Sequence, residues 1–238
     1  MKNFFSKFFL RSASATLLHD TNALRWERED LVYPALFGCS QITKSAVPSK
    51  ELLSLFFDDC EHFSDVVSVL IFPPCGQRNY WVHVTSGLTN IRRIDEHDAN
   101  SKLTSLGFEL FATSSMRCDY IVSMLLRLAL YQISVAVGRI DGTIICGGDR
   151  IPLLGIGVQE FPQWAYSLVI HSLHEFPQGN SLGASEFDLY QVSAISKREH
   201  AWSDDVGLQA LLGELKKNDL VSIERERESM AIAVDSTE

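Results

Sequence analysis

The stretch from Asp119 to Val137 is apolar around most of its circumference, with Ser123, Arg127 and Ser134 forming a narrow polar stripe. A helix of this kind must be covered over most of its girth, so it demands a sheet or several helices packed around it. Arg127 at its middle makes insertion into a bilayer costly, and the chain reads as having no transmembrane segment.

The residues before it supply a sheet. Val66 to Phe72 is a β-branched apolar run stopped by Pro73-Pro74-Cys75-Gly76, and Tyr80 to Ser86 reads as its hairpin partner. The polar stretch Thr89 to Thr104 reads as a surface loop, and Gly107 to Thr113 returns as a third strand. Beyond the helix, six glycines between Gly138 and Gly157 allow tight turns around a short strand expected at Thr143 to Cys146. Two later strands, near Gln163 to Ser172 and Phe187 to Ile195, are separated by Pro177-Gln178-Gly179-Asn180. The elements therefore read as α+β, with three antiparallel strands ahead of the central helix.

Helices bracket this sheet. Thr21 to Phe37 has helical spacing with Thr21 as N-cap, although Pro34 weakens its second half, and a short apolar run after Pro48 is capped by Ser49. The last helix opens on Ser196-Lys197-Arg198-Glu199, the capping-box form, and carries Trp202, Val206, Leu208, Leu211, Leu212 and Leu215 on its apolar face. Trp81, Phe108 and Trp202 are expected in the core. The domain is placed at 21–220, with a lead-in at 1–20 and a polar tail at 221–238 that includes the charge alternation Glu224 to Glu228. The lead-in imitates a signal peptide, but Ser6 and Lys7 break its apolar run.

The 30 acidic against 21 basic residues, a formal charge of −9, repel a phosphate backbone, so nucleic acid is disfavoured as a partner. Cysteines 39, 60, 75, 118 and 146 are odd in number and never form C-x-x-C, which reads as reduced thiols of a cytoplasmic protein. Catalysis has no clear foothold. His171 and His174 sit at a strand end and lack the H-E-x-x-H order, and Cys146-Gly147-Gly148-Asp149 has no G-K-[ST] following it. Asp58-Asp59 and Asp204-Asp205 are neighbours that point in different directions on a helix. No metal and no cofactor are expected. The enzyme reading that survives uses the 146–149 loop with His83 or His171.

Several blocks resemble the Suppressor-of-fused family. Tyr80-Trp81-Val82-His83-Val84-Thr85-Ser86-Gly87-Leu88-Thr89-Asn90 is similar to its aromatic strand and Ser-Gly-Leu-Ser signature, and Gly107-Phe108-Glu109-Leu110 to its Gly-Phe-Glu-Leu strand. Cys146-Gly147-Gly148-Asp149 resembles the Cys-Ser-Gly-Asp of animal members, after a helix whose Leu128-Ala129-Leu130-Tyr131 resembles their Leu-Ala-Arg-Tyr. Tyr33-Pro34-Ala35-Leu36-Phe37-Gly38 resembles the opening of bacterial members, and Gly207 to Leu212 the family's last helix. Thr89 departs from the usual Ser, and the stretch from Tyr131 to Asp149 is longer than in animal members. The resemblance implies an α+β fold with a mixed, largely antiparallel β-sheet flanked by helices, and a binding protein without enzymatic activity, of the bacterial type. Its partner would be another protein, held as a peptide strand added to the sheet or, for an immunity protein, a toxin neutralised by sequestration. By carry-over the partner-binding residues are Tyr131, Gly148 and Asp149.

Overall fold

From Val67 to Phe72 every residue is buried, which a strand permits only when both its faces are covered. The computed structural model describes residues 25–39, 42, 44–58, 66–76, 78–90, 92–93, 103–157, 161–171, 180–182 and 185–227. The lead-in 1–20, the proposed cap Thr21 and the residues after 227 lie outside the described residues. The strands are β1 (Lys44–Ala46), β2 (Ser68–Phe72), β3 (Trp81–Ser86), β4 (Arg92–Arg93), β5 (Leu103–Thr104), β6 (Phe108–Ser114), β7 (Arg150–Pro152), β8 (Ala165–His171), β9 (Asn180–Leu182) and β10 (Ser185–Ser196). The helices are α1 (Tyr33–Phe37), entered directly from a π-helical stretch Glu27–Val32, then α2 (Lys50–Ser54), α3 (Asp119–Ala136), α4 (Lys197–Val206) and α5 (Leu208–Lys217).

The main sheet runs β1-β2-β3-β6-β10-β8-β7, with β9 added to the start of β10. Its pairings are antiparallel except at the centre, where β10 runs parallel to β6 from Asp188↔Phe108 to Gln191↔Phe111. Alternation along the strands then sorts side chains between two faces. Val69, Ile71, Phe108, Leu110, Ala112, Leu168, Ile170, Val192 and Ala194 meet α3 through Ile121, Met124, Leu125 and Leu128. On the other face, Leu70, Phe72, Val82, Val84, Phe111, Phe187 and Leu189 enclose Tyr33 and Phe37 of α1, and Val169 and Ile195 meet Leu211 and Leu215 of α5. Each large apolar side chain buried this way contributes roughly 1.5–3 kcal/mol.

The mixed, mostly antiparallel sheet with flanking helices is the fold read from the sequence, with local differences that have physical causes. Pro34 does not end the first helix: it falls at the junction where the π-helical stretch passes into the α-helical turn, and the chain stays helical on both sides of it. No strand forms at 143–146. There Ile145 N–H donates to Gln132 Oε1 of α3 at 2.7 Å, which ties this stretch to the helix, and the strand forms instead at β7. The capping box at Ser196 and Glu199 is present, but Gly207 divides the final helix into α4 and α5. The loop at 89–104 contains the short β4–β5 pair. Phe108 is buried, whereas Trp81 and Trp202 are only partly so.

Where the sequence places a polar tail from 221 onward, the packed chain runs on to Arg227. Ile223 is fully buried, its N–H donates to Thr113 O at 2.7 Å, and Arg227 forms a buried ion pair with Glu199. An alternating charge run reads as solvated only while its partner is unknown, and Glu199, the capping-box glutamate, is that partner.

Candidate partner-binding site

The loop that carries Gly148 and Asp149 is a turn joined to a bulge. Asp149 N–H donates to Cys146 O at 3.1 Å, closing the turn, while Gly148 takes a φ of +106° at its third position. Gly148 N–H then donates to Ile170 O at 2.7 Å, and Ile170 N–H donates to Asp149 O at 3.0 Å, so two residues oppose one on β8. A Cβ at Gly148 would also lie 3.3 Å from Leu208 Cδ2 of α5. The Asp149 carboxylate accepts the Cys146 N–H at 2.8 Å and so caps its own turn.

This bulge launches β7, the last strand of the sheet among the described residues. Arg150 pairs with Val169 and Ile151 with Leu168. Because Asp149 bonds to β8, the alternation of an antiparallel ladder turns the N–H and C=O of Arg150 away from β8, toward the open edge. Pro152 has no N–H to offer, so the edge is short and its strongest hydrogen-bonding position is Arg150. The Arg150 side chain reaches across to α4, where it donates to Ser203 Oγ at 2.6 Å and pairs with Asp204. That contact ties the side chain of Arg150 to α4, and among the described residues no further strand pairs with β7.

Tyr131, near the C-terminal end of α3, is half-buried. Its hydroxyl lies against Gly142, where any added Cβ would collide with it. The structure places Tyr131 against the start of the glycine-rich loop and Gly148 and Asp149 at its end, with no hydrogen bond between Tyr131 and Asp149 among the described residues. The aromatic that does stand beside the turn is Tyr190 of β10, whose ring would be 3.9 Å from a Cβ at Gly147 and which stacks on Phe108 at 5.2 Å. Burial first, then the charge of Asp188, pushes its hydroxyl up to about 12, so it is a neutral donor near Cys146 and Asp149. Sequence reasoning passes over Tyr190 because it reads as one more residue of a strand, with no local signal to set it apart.

The groups named for catalysis do not converge. His83 is fully buried and accepts the Cys118 N–H at 3.5 Å, and His171 bonds Ser193 Oγ at 2.9 Å. Burial holds both imidazoles down at about 4. Neither shares a hydrogen bond with the 146–149 loop among the described residues. Partial burial and the adjacent Asp149 carboxylate push the Cys146 thiol up, away from the nucleophilic thiolate. No cluster of three or more His, Cys, Asp or Glu able to hold a metal occurs among the described residues.

The signature block performs a different task. Glu109 of β6 is fully buried and accepts hydrogen bonds from Gly87 N–H at 2.9 Å, Thr89 N–H at 3.1 Å, Thr89 Oγ1 at 2.9 Å and Thr85 Oγ1 at 2.7 Å. Arg28, from the π-helical stretch, is equally buried, lies 3.6 Å from Glu109, and donates to Ser86 Oγ, Thr89 Oγ1 and Asn90 Oδ1. Gly87 is required here, since its φ is +143° and a Cβ would lie 2.8 Å from Val67 Cα. Thr85, Ser86, Gly87, Thr89, Asn90 and Glu109 thus make one buried knot that joins β3, β6 and the first helix.

Residues 64–226 match the family of the Suppressor of fused protein (SUFU), a span that holds both the knot and the bulged edge. The chain belongs to the Suppressor of fused family. The putative SUFU homolog from Neisseria gonorrhoeae FA 1090 superposes with a TM-score of 0.56 at 15% identity, covering 89% of this chain and 97% of that one. A chain of the Sufu-Fu complex superposes with a TM-score of 0.50 at 15% identity, covering 68% of this chain and 75% of that one. At such identity these likenesses bear on the fold. Among curated proteins no match was found. The family match ends at residue 226, within the packed segment that follows α5.

Proposed function

We propose that this SUFU-family domain is a protein-binding module that receives an extended segment of its partner along the open edge of β7, with Gly148 and Asp149 at the head of that edge and Tyr131 and Tyr190 flanking the loop that leads to it. The observation that carries this reading is the outward-turned backbone of Arg150 on a short terminal strand, a site where main-chain hydrogen bonds give affinity and neighbouring side chains give selectivity. The structure of a Sufu-Fu complex, a relative bound to another protein, supports a binding role in kind. The family is one of binding modules, and the two histidines of the enzyme reading, His83 and His171, are buried and bonded to Cys118 and Ser193, which favours binding.

The finer reading is sequestration of a toxin by an immunity protein. The excess of acidic over basic residues suits a basic partner. Its first test is a tagged pull-down from the native host with mass spectrometry, where recovery of a toxin encoded beside this gene supports it and recovery of an unrelated protein refutes it. With that partner in hand, Arg150→Pro removes the edge donor, while Arg150→Ala loses only the side chain. Capture falls at least tenfold in the first and stays near wild type in the second, with circular dichroism unchanged in both. Equal capture by all three proteins would place the partner elsewhere.

A further inference from the structure

The centre of the sheet opens into a wedge. β6 and β10 pair only from 108 to 111 and from 188 to 191, after which β10 stays with β8 and β6 stays with β3. Beyond that point the facing groups, Thr113 O on β6 and Ser193 Oγ on β10, have no strand between them. Residues 220–227 fill the gap without helix or strand structure of their own. Ile223 N–H donates to Thr113 O at 2.7 Å, Ser193 Oγ donates to Val221 O at 2.6 Å, and Ser222 Oγ lies 2.9 Å from Thr113 Oγ1.

Side chains fix the register. Ile223 is buried in the α3-side core, and Trp164 Nε1–H donates to Glu224 O at 3.2 Å. The Glu224 carboxylate accepts Ser115 N–H at 2.7 Å. The Arg227 guanidinium lies 4.5 Å from the Trp164 ring centroid, pairs with the buried Glu199 and donates to Leu220 O at 2.8 Å. The segment leaves α5 through an exposed turn at Asn218 and Asp219, the latter at a φ of +56°. It is therefore held by β6, β10, Trp164 and α4, all remote in sequence, in the manner of a bound peptide: one apolar anchor, an acidic residue next to it, and an arginine three residues further on.

We propose that the wedge between β6 and β10 is a second peptide-binding site, distinct from the β7 edge, and that residues 220–227 are its ligand, held in cis and exchangeable for the same segment supplied in trans. The buried Gln191 adds to this reading, because its Nε2 donates to Thr113 Oγ1 of the wedge lining at 3.3 Å while its Oε1 has no partner among the described residues. A cis ligand that is tethered has a high effective concentration, so even a moderate intrinsic affinity keeps the wedge closed.

The test keeps the full chain and inserts a specific protease site between Asn218 and Asp219, so that the segment is cut after folding. The nicked protein is expected to retain its C-terminal fragment on gel filtration. A fluorescent peptide of residues 219–227 in excess is expected to displace that fragment and bind with measurable anisotropy, at least tenfold more tightly than peptides carrying Ile223→Asp or Arg227→Glu. Three results overturn the proposal: loss of the fragment on nicking with the melting temperature unchanged, which makes the segment a passive cover; unfolding on nicking; or retention without exchange. Either of the last two makes the segment an integral core element.

Discussion

Glu109→Gln tests the buried knot directly. The change keeps size and shape but gives one oxygen and one NH2 where four donors now converge on two oxygens, and it leaves Arg28 buried with Ser86, Thr89 and Asn90 as its only neutral partners. Removing one member of a buried ion pair costs ~3–5 kcal/mol, because the remaining charge stays desolvated. Two of the donors are the backbone N–H groups of Gly87 and Thr89, which cannot rotate away, so the upper half of that range is expected. For a domain of this size, each kcal/mol moves the melting temperature by about 2–4 °C, which gives a fall of roughly 8–20 °C. The assay is urea unfolding followed by tryptophan fluorescence, with a double-mutant cycle through Arg28→Met. Because the two residues touch, the double mutant should recover ~1–3 kcal/mol relative to the sum of the single changes. A loss below ~1 kcal/mol for Glu109→Gln, or strict additivity in the cycle, would refute the reasoning that the pair and the turn act as one unit.

The two buried histidines set a pH dependence. Their folded pKa values of about 4 lie below the ordinary value, so between about pH 6.5 and pH 4 the unfolded chain binds protons that the folded chain refuses. Stability is complete above that window and falls as pH drops through it, by on the order of 3 kcal/mol for each histidine at ~1.4 kcal/mol per pH unit. Urea midpoints between pH 7.5 and 4.5 should show this slope, and His171→Leu should reduce it by about half; an unchanged slope would count against the assignment. Gly148→Ala should cost ~1–3 kcal/mol, from the positive φ and the contact with Leu208, and a melting temperature within 1 °C of wild type would show that the bulge is not strained. Asp149→Asn keeps an acceptor for Cys146 N–H, so it should leave the melting temperature unchanged while weakening partner capture at least tenfold if the charge contacts the partner. Cys75, Cys118 and Cys146 are free thiols, and the melting curve should not move with dithiothreitol; a drop of several degrees would reveal a disulfide.

The strands β2, β3 and β6 were legible because β-branched and aromatic residues come in short runs bounded by Pro and Gly, and α3 because its apolar surface is too wide for any other element. The capping box at Ser196 was legible because it is satisfied within four residues. What local pattern could not give was anything settled by a distant partner. Arg28 reads as one charge in an acidic helix until Ser86 and Glu109 arrive from 58 and 81 residues away. Arg227 reads as solvated until Glu199 and Trp164 close on it. At the candidate site, the turn at Gly148 was visible from its glycines, but the open edge after it was not, since whether a three-residue strand is terminal depends on the whole sheet order. Trp202 shows the converse: its helical spacing is right, yet it is only partly buried against the cluster of Val169, Ile195, Leu211 and Leu215.

The parallel pairing of β6 with β10 has a consequence for synthesis. Phe108 meets Asp188, a partner 80 residues later in the chain, and no antiparallel hairpin can close the centre of the sheet before then. At ~5–20 residues per second, β6 leaves the ribosome roughly 4–16 s ahead of the strand that covers it. During that interval the four-strand half β1-β2-β3-β6 presents a seven-residue strand carrying Phe108, Leu110, Phe111 and Ala112 with one side unpaired, the kind of edge on which nascent chains associate with one another. The rate of elongation through residues 115–196, and the chaperone that occupies β6 meanwhile, should therefore govern how much of this protein reaches its native state.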